Sequence, residues 1–512
     1  MDEKQRSVKL SYTHSFFLSM SMGFGERYVE AFANFLRATN TQFGLIVSLP
    51  QFMGSIFQLF TMRLLRLFGS RKRMHMSLTV VQACLWIPMI VLSLHQPPYA
   101  FWIYLGLVSL YITINTIINP VWSSWVMDLV EPEKRARYFG TRLYIMNFVG
   151  FISFVIGGWI LQHEQTYGFL IMFTISICAL LVSAYVISKK YEPPFSLVVP
   201  KVDFGRFLTS MQNRDQRRSI FYLISMIFAV YISSAYFTPY LLRTLQMNYF
   251  LFSVLIIAPM LPKILMSRQW GKVIDYFGPG KVLPVASGFI ILNPLLWLFH
   301  DSFWYLFIVQ IYAGFSWGLY EHTAVSFLLN TTNPANRISL LSYHAFFNGM
   351  GILLGSLTGI LIVTYGPLQG YFSAFLVSGI VRFFVLLTYP RMKEQPIYGQ
   401  GSYTKIATEV SSFFSMSDLS RKIIAAKDID SIRLTKNTKK SKQIISVGFT
   451  HKALVKNVKE RRSDVQLYMC RNCNAEFRHR KGAKTNTSCI YCGSKNCILL
   501  REMTFKQGKE KE

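Results

Sequence analysis

A chain of 512 residues that is 52% apolar and only 15% charged cannot be an ordinary water-soluble globule, because such domains carry about 25% charged residues. The formal net charge is +29, of which +15 resides in residues 391–512, where 26 Lys and Arg face 11 Asp and Glu. Composition therefore excludes a typical soluble enzyme and leaves a lipid-embedded body with a basic polar tail.

Taken from the N-terminus, apolar runs of spanning length, about 20 residues each, are predicted near 12–36, 41–62, 75–96, 100–127, 141–162 and 167–188. Six more follow near 219–242, 247–267, 281–299, 302–328, 343–364 and 370–390. The expected fold class is an all-α membrane protein of twelve transmembrane helices in two six-helix pseudo-symmetric bundles, plus a small β-rich unit in the tail. The expected layout is 1–188 for the N-terminal bundle, 189–218 for a polar cytoplasmic connector and 219–392 for the C-terminal bundle. A basic cytoplasmic linker (393–464), a zinc ribbon (465–503) and a polar tail (504–512) complete it. The first run contains Glu26, Arg27 and Glu30 and is followed by no small-residue cleavage site, so it reads as a retained helix and not a secretory signal.

Lys and Arg crowd alternate loops. Arg63, Arg66, Arg71, Lys72 and Arg73 follow the second run, Lys134, Arg135, Arg137 and Arg142 the fourth, Arg268, Lys272 and Lys281 the eighth, and Arg337 the tenth. The intervening loops hold little beyond Arg37 and Arg243. This bias predicts a multi-pass protein of the cytoplasmic (plasma) membrane with both termini cytoplasmic.

The two sets of runs repeat each other. Leu49-Pro50 is answered by Ala258-Pro259 and Phe68-Gly69 by Phe277-Gly278, both at an offset of 209. Phe101-Trp102 is answered by Phe303-Trp304, Asp128 by Asn330, Pro132 by Pro334 and Arg135 by Arg337, all at 202. Duplicated multi-helix halves usually meet at a central substrate site, which points to a transporter.

Few acids fall inside the runs. Glu26 and Glu30 lie one turn apart on the first and are expected to share a face. At 1.5 Å per residue from Arg37, Glu30 would lie about 10 Å deep and Glu26 about 16 Å deep, near the midplane. Glu321 and His322 lie well inside the tenth run, and the offset of 202 pairs Glu321 with Asn119 at the same depth in the fourth. A carboxylate facing lipid costs about 2.5–3.5 kcal/mol even on the lenient scale. These acids are therefore expected to face water, a partner or a substrate, and to bind a proton or a cationic group. The plainer alternative is an internal pair, such as Glu26 or Glu30 with Arg27, that only sets packing. Tyr231, Tyr236, Trp317 and Tyr320 are candidates to line a site for an amphipathic molecule, although packing is the commoner role for such rings.

The loop after the eighth run reads Gly271-x-x-x-Asp275-x-x-Gly278 followed by Lys281, and its counterpart reads Met62-x-x-x-Arg66-x-x-Gly69-Ser70-Arg71-Lys72. A further stretch runs Pro120-Val-Trp122-Ser-Ser-Trp125-Val-Met-Asp128-Leu-Val-Glu-Pro132, with Arg135, Arg137 and Gly140 beyond it. Over residues 12–390 these motifs resemble the major facilitator superfamily. The resemblance implies that helices 1, 4, 7 and 10 line a central cavity. It also implies that Gly271, Asp275 and Gly278 form a conformational latch, whose first-half copy here lacks the Gly and the Asp. Asp128 with Arg135 or Arg137 could add a pairing across the bundle interface; Asp128 could equally cap a helix end.

The tail carries Cys470-Arg-Asn-Cys473 and, after fifteen intervening residues, Cys489-Ile-Tyr-Cys492. Two such pairs on the reducing side of a membrane match a structural four-thiolate zinc site better than disulfides, with iron as the other metal such a site accepts. Strand-like stretches at 467–469, 476–478 and 498–501 flank the pairs, as in a zinc ribbon or rubredoxin-like knuckle pair. Cys497 falls outside the set and reads as a spare thiol. Cys84 and Cys178 stand alone in apolar runs and are expected to pack as small hydrophobes. A cytoplasmic protein or RNA is a candidate partner for the basic ribbon, and a solvated loop would look the same.

The sequence thus predicts a monomeric secondary transporter that moves a small molecule across the bilayer by alternating access, coupled to protons. No Gly-Lys-Ser/Thr phosphate loop is present, and neither enzymatic chemistry nor an organic cofactor is expected. The rival expectation is a non-transporting membrane sensor or scaffold that presents the ribbon as a binding module.

Overall fold

The computed structural model describes residues 3–131, 134–194, 214–330, 337–366, 370–389, 465–470, 476–480 and 497–503. Two compact units result, Met1–Lys422 and Ile423–Glu512. The first is helical. Its first half comprises α1 (Glu3–Phe24), a 3₁₀ turn (Glu26–Tyr28), α2 (Val29–Phe35), α3 (Asn40–Gln58), α4 (Thr61–Phe68), α5 (Arg71–Leu94), α6 (Ala100–Leu129), α7 (Arg135–His163) and α8 (Gln165–Ser188). Its second half comprises α9 (Arg214–Ser234), a turn at Phe237–Pro239 leading into a π turn (Tyr240–Thr244), α10 (Tyr249–Ile257), α11 (Met260–Phe277), α12 (Pro279–Leu296), α13 (Phe303–Asn330), α14 (Arg337–Tyr365) and α15 (Tyr371–Leu387).

Eight of the described helices are long and apolar enough to cross a membrane, and nine if α3 and α4, bent by 63° at residues 59–60, count as one span. α1 is not among them, and its sequence shows why. Ser7, Ser11, Ser15 and Ser19 recur every fourth residue and are all buried, giving α1 a stripe of small side chains against α7 and α8. Small residues let helix backbones approach closely where lipid offers no hydrophobic drive for association.

The repeat read from the sequence coincides with the element boundaries. Phe101 is the second residue of α6 and Phe303 the first of α13, and Arg135 and Arg337 are the first residues of α7 and α14, each 29 residues long. Gly69 and Gly278 both take positive φ (63° and 83°) at the turns after α4 and α11. A further correspondence was not visible in the side chains. Arg37 and Gln246, 209 residues apart, are the two described non-glycine residues with positive φ, 56° and 47°. Each is followed two residues later by an N-cap, Thr39 before α3 and Asn248 before α10. The side-chain oxygens of these caps accept from the amides of Gln42 (3.3 Å) and Leu251 (2.8 Å), satisfying donors that a helix start leaves unpaired.

The first span departs from the expectation of a continuous helix over 12–36. The chain breaks at Gly25, turns through Glu26–Tyr28 and restarts as α2. Depths counted at 1.5 Å per residue therefore fail there, and Glu26 and Glu30 do not share one helical face.

Aromatic clusters fill both halves. Phe32 packs edge-on against Tyr104, Phe169 and Phe173, with ring centroids 4.9–5.1 Å apart. In the second half Trp270 meets Phe315 at 4.6 Å. Such pairs contribute about 0.5–1.5 kcal/mol each beyond area burial.

In the second unit, three described strands, β1 (Val465–Cys470), β2 (Glu476–Arg480) and β3 (Cys497–Met503), form an antiparallel sheet in the order β2-β1-β3. The strand-like stretches expected at 467–469, 476–478 and 498–501 fall within them. Cys470 ends β1 and is in register with Cys497 at the start of β3. Cys473, Cys489 and Cys492 lie outside the described residues.

Candidate functional site: a charged cavity in the helical unit

Polar contacts tie the two halves together at the end where α2 meets α3 and α14 meets α15. Arg243 Nε donates to Asn34 Oδ1 at 2.6 Å, Tyr371 Oη donates to Asn40 Oδ1 at 2.9 Å, and Ser356 Oγ donates to the Gly44 carbonyl at 2.7 Å. Nearby, the Tyr28 and Ser253 hydroxyls lie 2.7 Å apart. Gly158 on α7 lies so close to α10 that an added Cβ would stand 2.2 Å from Ser253 Oγ. Along this seam the halves touch backbone to side chain.

Two adjoining cavities open below it. The larger, about 490 Å³, is lined by Tyr231 on α9, Lys263 on α11, Trp317, Tyr320 and Glu321 on α13, and His344 on α14. The smaller, about 320 Å³, draws Arg27 and Glu30 from the first half and Thr238, Lys263, Asn293, Gln310 and Arg382 from the second. Lys263 and Trp317 border both. Lys263 Nζ lies 2.8 Å from Glu321 Oε1, with the Glu321 side chain half exposed. Exposed pairs of this kind are worth little to stability, about 0–1 kcal/mol, so the pair can exchange partners cheaply.

Of the expected transport residues, Arg27 and Glu30 line the smaller cavity and Glu321 the larger. Glu26 lines neither; its Oε2 is buried without a hydrogen-bond partner. Asn119 is exposed and borders neither cavity, so the equal depth expected with Glu321 does not bring the two into one site. His322 turns back on its own helix, Nδ1 donating to the Gly318 carbonyl at 2.7 Å. Tyr231, Trp317 and Tyr320 line the larger cavity, whereas Tyr236 stacks on Tyr371 with centroids 5.8 Å apart. Lys263, Asn293 and Arg382 were not among the residues expected from the sequence. Lys263 and Arg382 are basic residues inside apolar runs, and a search for intramembrane charge of either sign finds them.

The expected pairing of Asp128 with Arg135 or Arg137 does not form. Arg71 Nη1 reaches Asp128 Oδ2 at 2.6 Å, Ser124 Oγ at 3.2 Å and, through Nη2, the Pro193 carbonyl at 3.2 Å. Its backbone amide donates to Glu192 at 2.7 Å. Arg135 instead caps the end of α6, donating to the Met127 (2.6 Å) and Val130 (3.2 Å) carbonyls. That is the favourable end of a helix dipole for a cation. Gly271 and Asp275 lie on the last turns of α11, Asp275 exposed, and Gly278 makes the turn into α12.

Just past α8, Lys190 is buried with its Nζ 3.5 Å from Ser11 Oγ. Burial, and then the nearby Arg142 guanidinium, push the lysine down from 10.5 to about 7.

Paired helical halves with charges pooled in a shared cavity define a multi-pass membrane transporter of small molecules and not an enzyme. The chain belongs to the Major Facilitator Superfamily, whose sequence pattern matches residues 13–203 and 218–426. Among solved structures it is similar to a mutant form of the nucleoside transporter NupG (14% identity, TM-score 0.56) and to NupG without that mutation (15% identity, TM-score 0.54). It is also similar to a singly substituted form of the E. coli fucose:proton symporter FucP (15% identity, TM-score 0.51). Each alignment covers 77% of this chain and 100% of the other. No curated protein matches the sequence.

Proposed function

We propose that the protein is a proton-coupled secondary carrier of a small polar organic molecule, working by alternating access as a monomer with twelve spans. In this reading both termini face the cytoplasm, and the plasma membrane is its site. The observation that carries it is the smaller cavity, where Arg27 and Glu30 of one half meet Lys263 and Arg382 of the other. Charges inside a membrane are expensive unless they serve a pathway, and here both halves contribute them to one space. In this reading the contacts at Asn34, Asn40, Gly44 and Ser253 belong to an outer gate, the end that the Lys and Arg bias assigns to the outside. Glu30 and Glu321 are the proton-binding candidates. The NupG and FucP structures carry names of transporters for nucleosides and for fucose with protons, which agrees with a polar organic cargo.

In the tail, Cys470, Cys473, Cys489 and Cys492 would hold a structural zinc ion. Four thiolates fill its coordination sphere and leave no open position for chemistry. A sheet whose first strand ends on Cys470 suits that role.

Reconstitution in liposomes tests the carrier. Solute-dependent dissipation of an imposed pH gradient is expected, lost in E30Q or E321Q and retained when residues 400–512 are deleted. Absence of flux, together with capture of a cytoplasmic protein or RNA by the tail, would replace the carrier with a scaffold.

A further inference from the structure

The smaller cavity holds hydrogen-bond donors that the protein leaves without acceptors. Arg382 on α15 is 2% exposed. Its Nη1 donates to the Ile290 carbonyl at 2.7 Å and its Nη2 to Ser233 Oγ at 3.3 Å, while Nε is buried with no partner. No carboxylate among the described residues comes within 4.0 Å of it. Asn293 on α12, 5% exposed, accepts from Ser316 through Oδ1 at 3.1 Å, and its Nδ2 is likewise buried and unpartnered. Arg27 completes the set. Glu26 precedes it in the chain, but the one bond from its guanidinium among the described residues runs from Nη1 to Met260 Sδ at 3.6 Å, a weak acceptor. All three residues line the same 320 Å³.

Buried donors without acceptors are costly, and buried cations without counter-charges more so. Arg27 and Lys263 each have an acid close by, Glu26 and Glu321, which leaves Arg382 as the lining cation with no carboxylate partner among the described residues. The adjoining larger cavity offers Tyr231, Trp317 and Tyr320 as an aromatic wall.

We propose that the smaller cavity is an anion subsite in which Arg382, Asn293 and Arg27 receive the carboxylate of a monovalent organic acid, with its apolar or aromatic body against Trp317 and Tyr231. This rests on the carrier reading and names its cargo class. One carboxylate would face the Arg382 guanidinium and bring acceptors beside Arg382 and Asn293, whose Nε and Nδ2 have none among the described residues. A guanidinium is suited to the task because its planar fork matches a carboxylate.

The test is binding to the purified full-length protein in nanodiscs, followed by calorimetry. The probes are benzoate, phenylacetate and indole-3-acetate, each against its neutral amide. At least one acid is expected to bind about tenfold or more tightly than its amide, the range of one charge-assisted contact. That preference is expected to collapse in R382Q, to weaken in N293L and to persist partly in R382K. Amides binding as well as acids, no acid binding up to about 10 mM, or an acid preference unchanged in both R382Q and N293L would overturn the subsite. The wild-type comparison of acid with amide decides even if R382Q fails to fold. Flux separates this claim from the carrier reading. Liposome transport of neutral solutes alone, insensitive to N293L, keeps the carrier and removes the subsite, whereas acids that bind selectively but are never transported keep the subsite and remove the carrier.

Discussion

Alanine at Gly158 is predicted to push apart the seam between α7 and α10. Its Cβ would sit 2.2 Å from Ser253 Oγ, 2.6 Å from Ser253 Cβ and 2.7 Å from the Tyr249 carbonyl, against 3.4–4 Å for ordinary contact. The helices must therefore part by roughly 1 Å, and overpacking of this size costs about 1–3 kcal/mol. That cost falls only on the state in which the two helices touch, so the ratio of closed to parted seam should drop by about 5- to 150-fold. Hydrogen–deuterium exchange reads the change without added labels, and peptides spanning residues 249–257 should exchange faster in G158A. The intrinsic effect of alanine is opposite in sign, since Gly→Ala favours an isolated helix by about 0.8–1 kcal/mol. Faster exchange therefore cannot come from α7 propensity. Adding S253G removes the two Ser253 contacts but leaves the Tyr249 carbonyl in the way and loses the Tyr28 hydrogen bond, so exchange in the double variant should stay faster than in wild type. Unchanged protection of 249–257 in G158A would refute the argument that this contact holds the seam.

Three further outcomes follow from the contacts of Arg71 and Lys190 and from the tail. Arg71→Ala should lower stability by about 2–3 kcal/mol, less than the 3–5 typical of a fully buried pair because the Asp128 side chain is 47% exposed. D128N should cost about 1 kcal/mol, and thermal unfolding that ranks the two equally would contradict the geometry. Lys190 binds a proton up to about 10.5 when unfolded and only to about 7 when folded, so the unfolded state holds more protons between those values and stability gains with rising pH. The advantage of K190M over wild type in melting temperature should thus be largest near pH 7 and shrink toward pH 10, and a constant gap would reject buried neutral lysine. Elemental analysis of the purified protein should find about one zinc per chain, lost in the C473S/C492S double variant; a chain holding neither zinc nor iron in wild-type form would rule out the four-thiolate site.

Much of this architecture was legible in residue order alone because lipid imposes simple rules. Apolar runs must be helical there to satisfy their own backbones, so span positions followed from composition, and the duplicated offsets 209 and 202 located equivalent boundaries in both halves. Arg135 and Arg337 open matching helices as those offsets require, and Phe101 and Phe303 fall within one residue of the start of another matching pair. The strands around Cys470 and Cys497 were likewise visible as local pattern. Site geometry was not, since it depends on which way each side chain turns after the helices pack. The 3₁₀ turn places Glu26 before the helix that holds Glu30, Arg71 takes Asp128 away from Arg135, and Asn119 ends up outside the cavity that Glu321 borders. Arg382 illustrates the reason. Its partners Ile290 and Ser233 lie 92 and 149 residues away in the chain, and only tertiary packing brings their carbonyl and hydroxyl to one guanidinium and sets Asn293 in the same cavity wall. Local rules in a bilayer determine where the chain crosses, while the charges that could handle a solute are assembled by long-range contacts that no local pattern encodes.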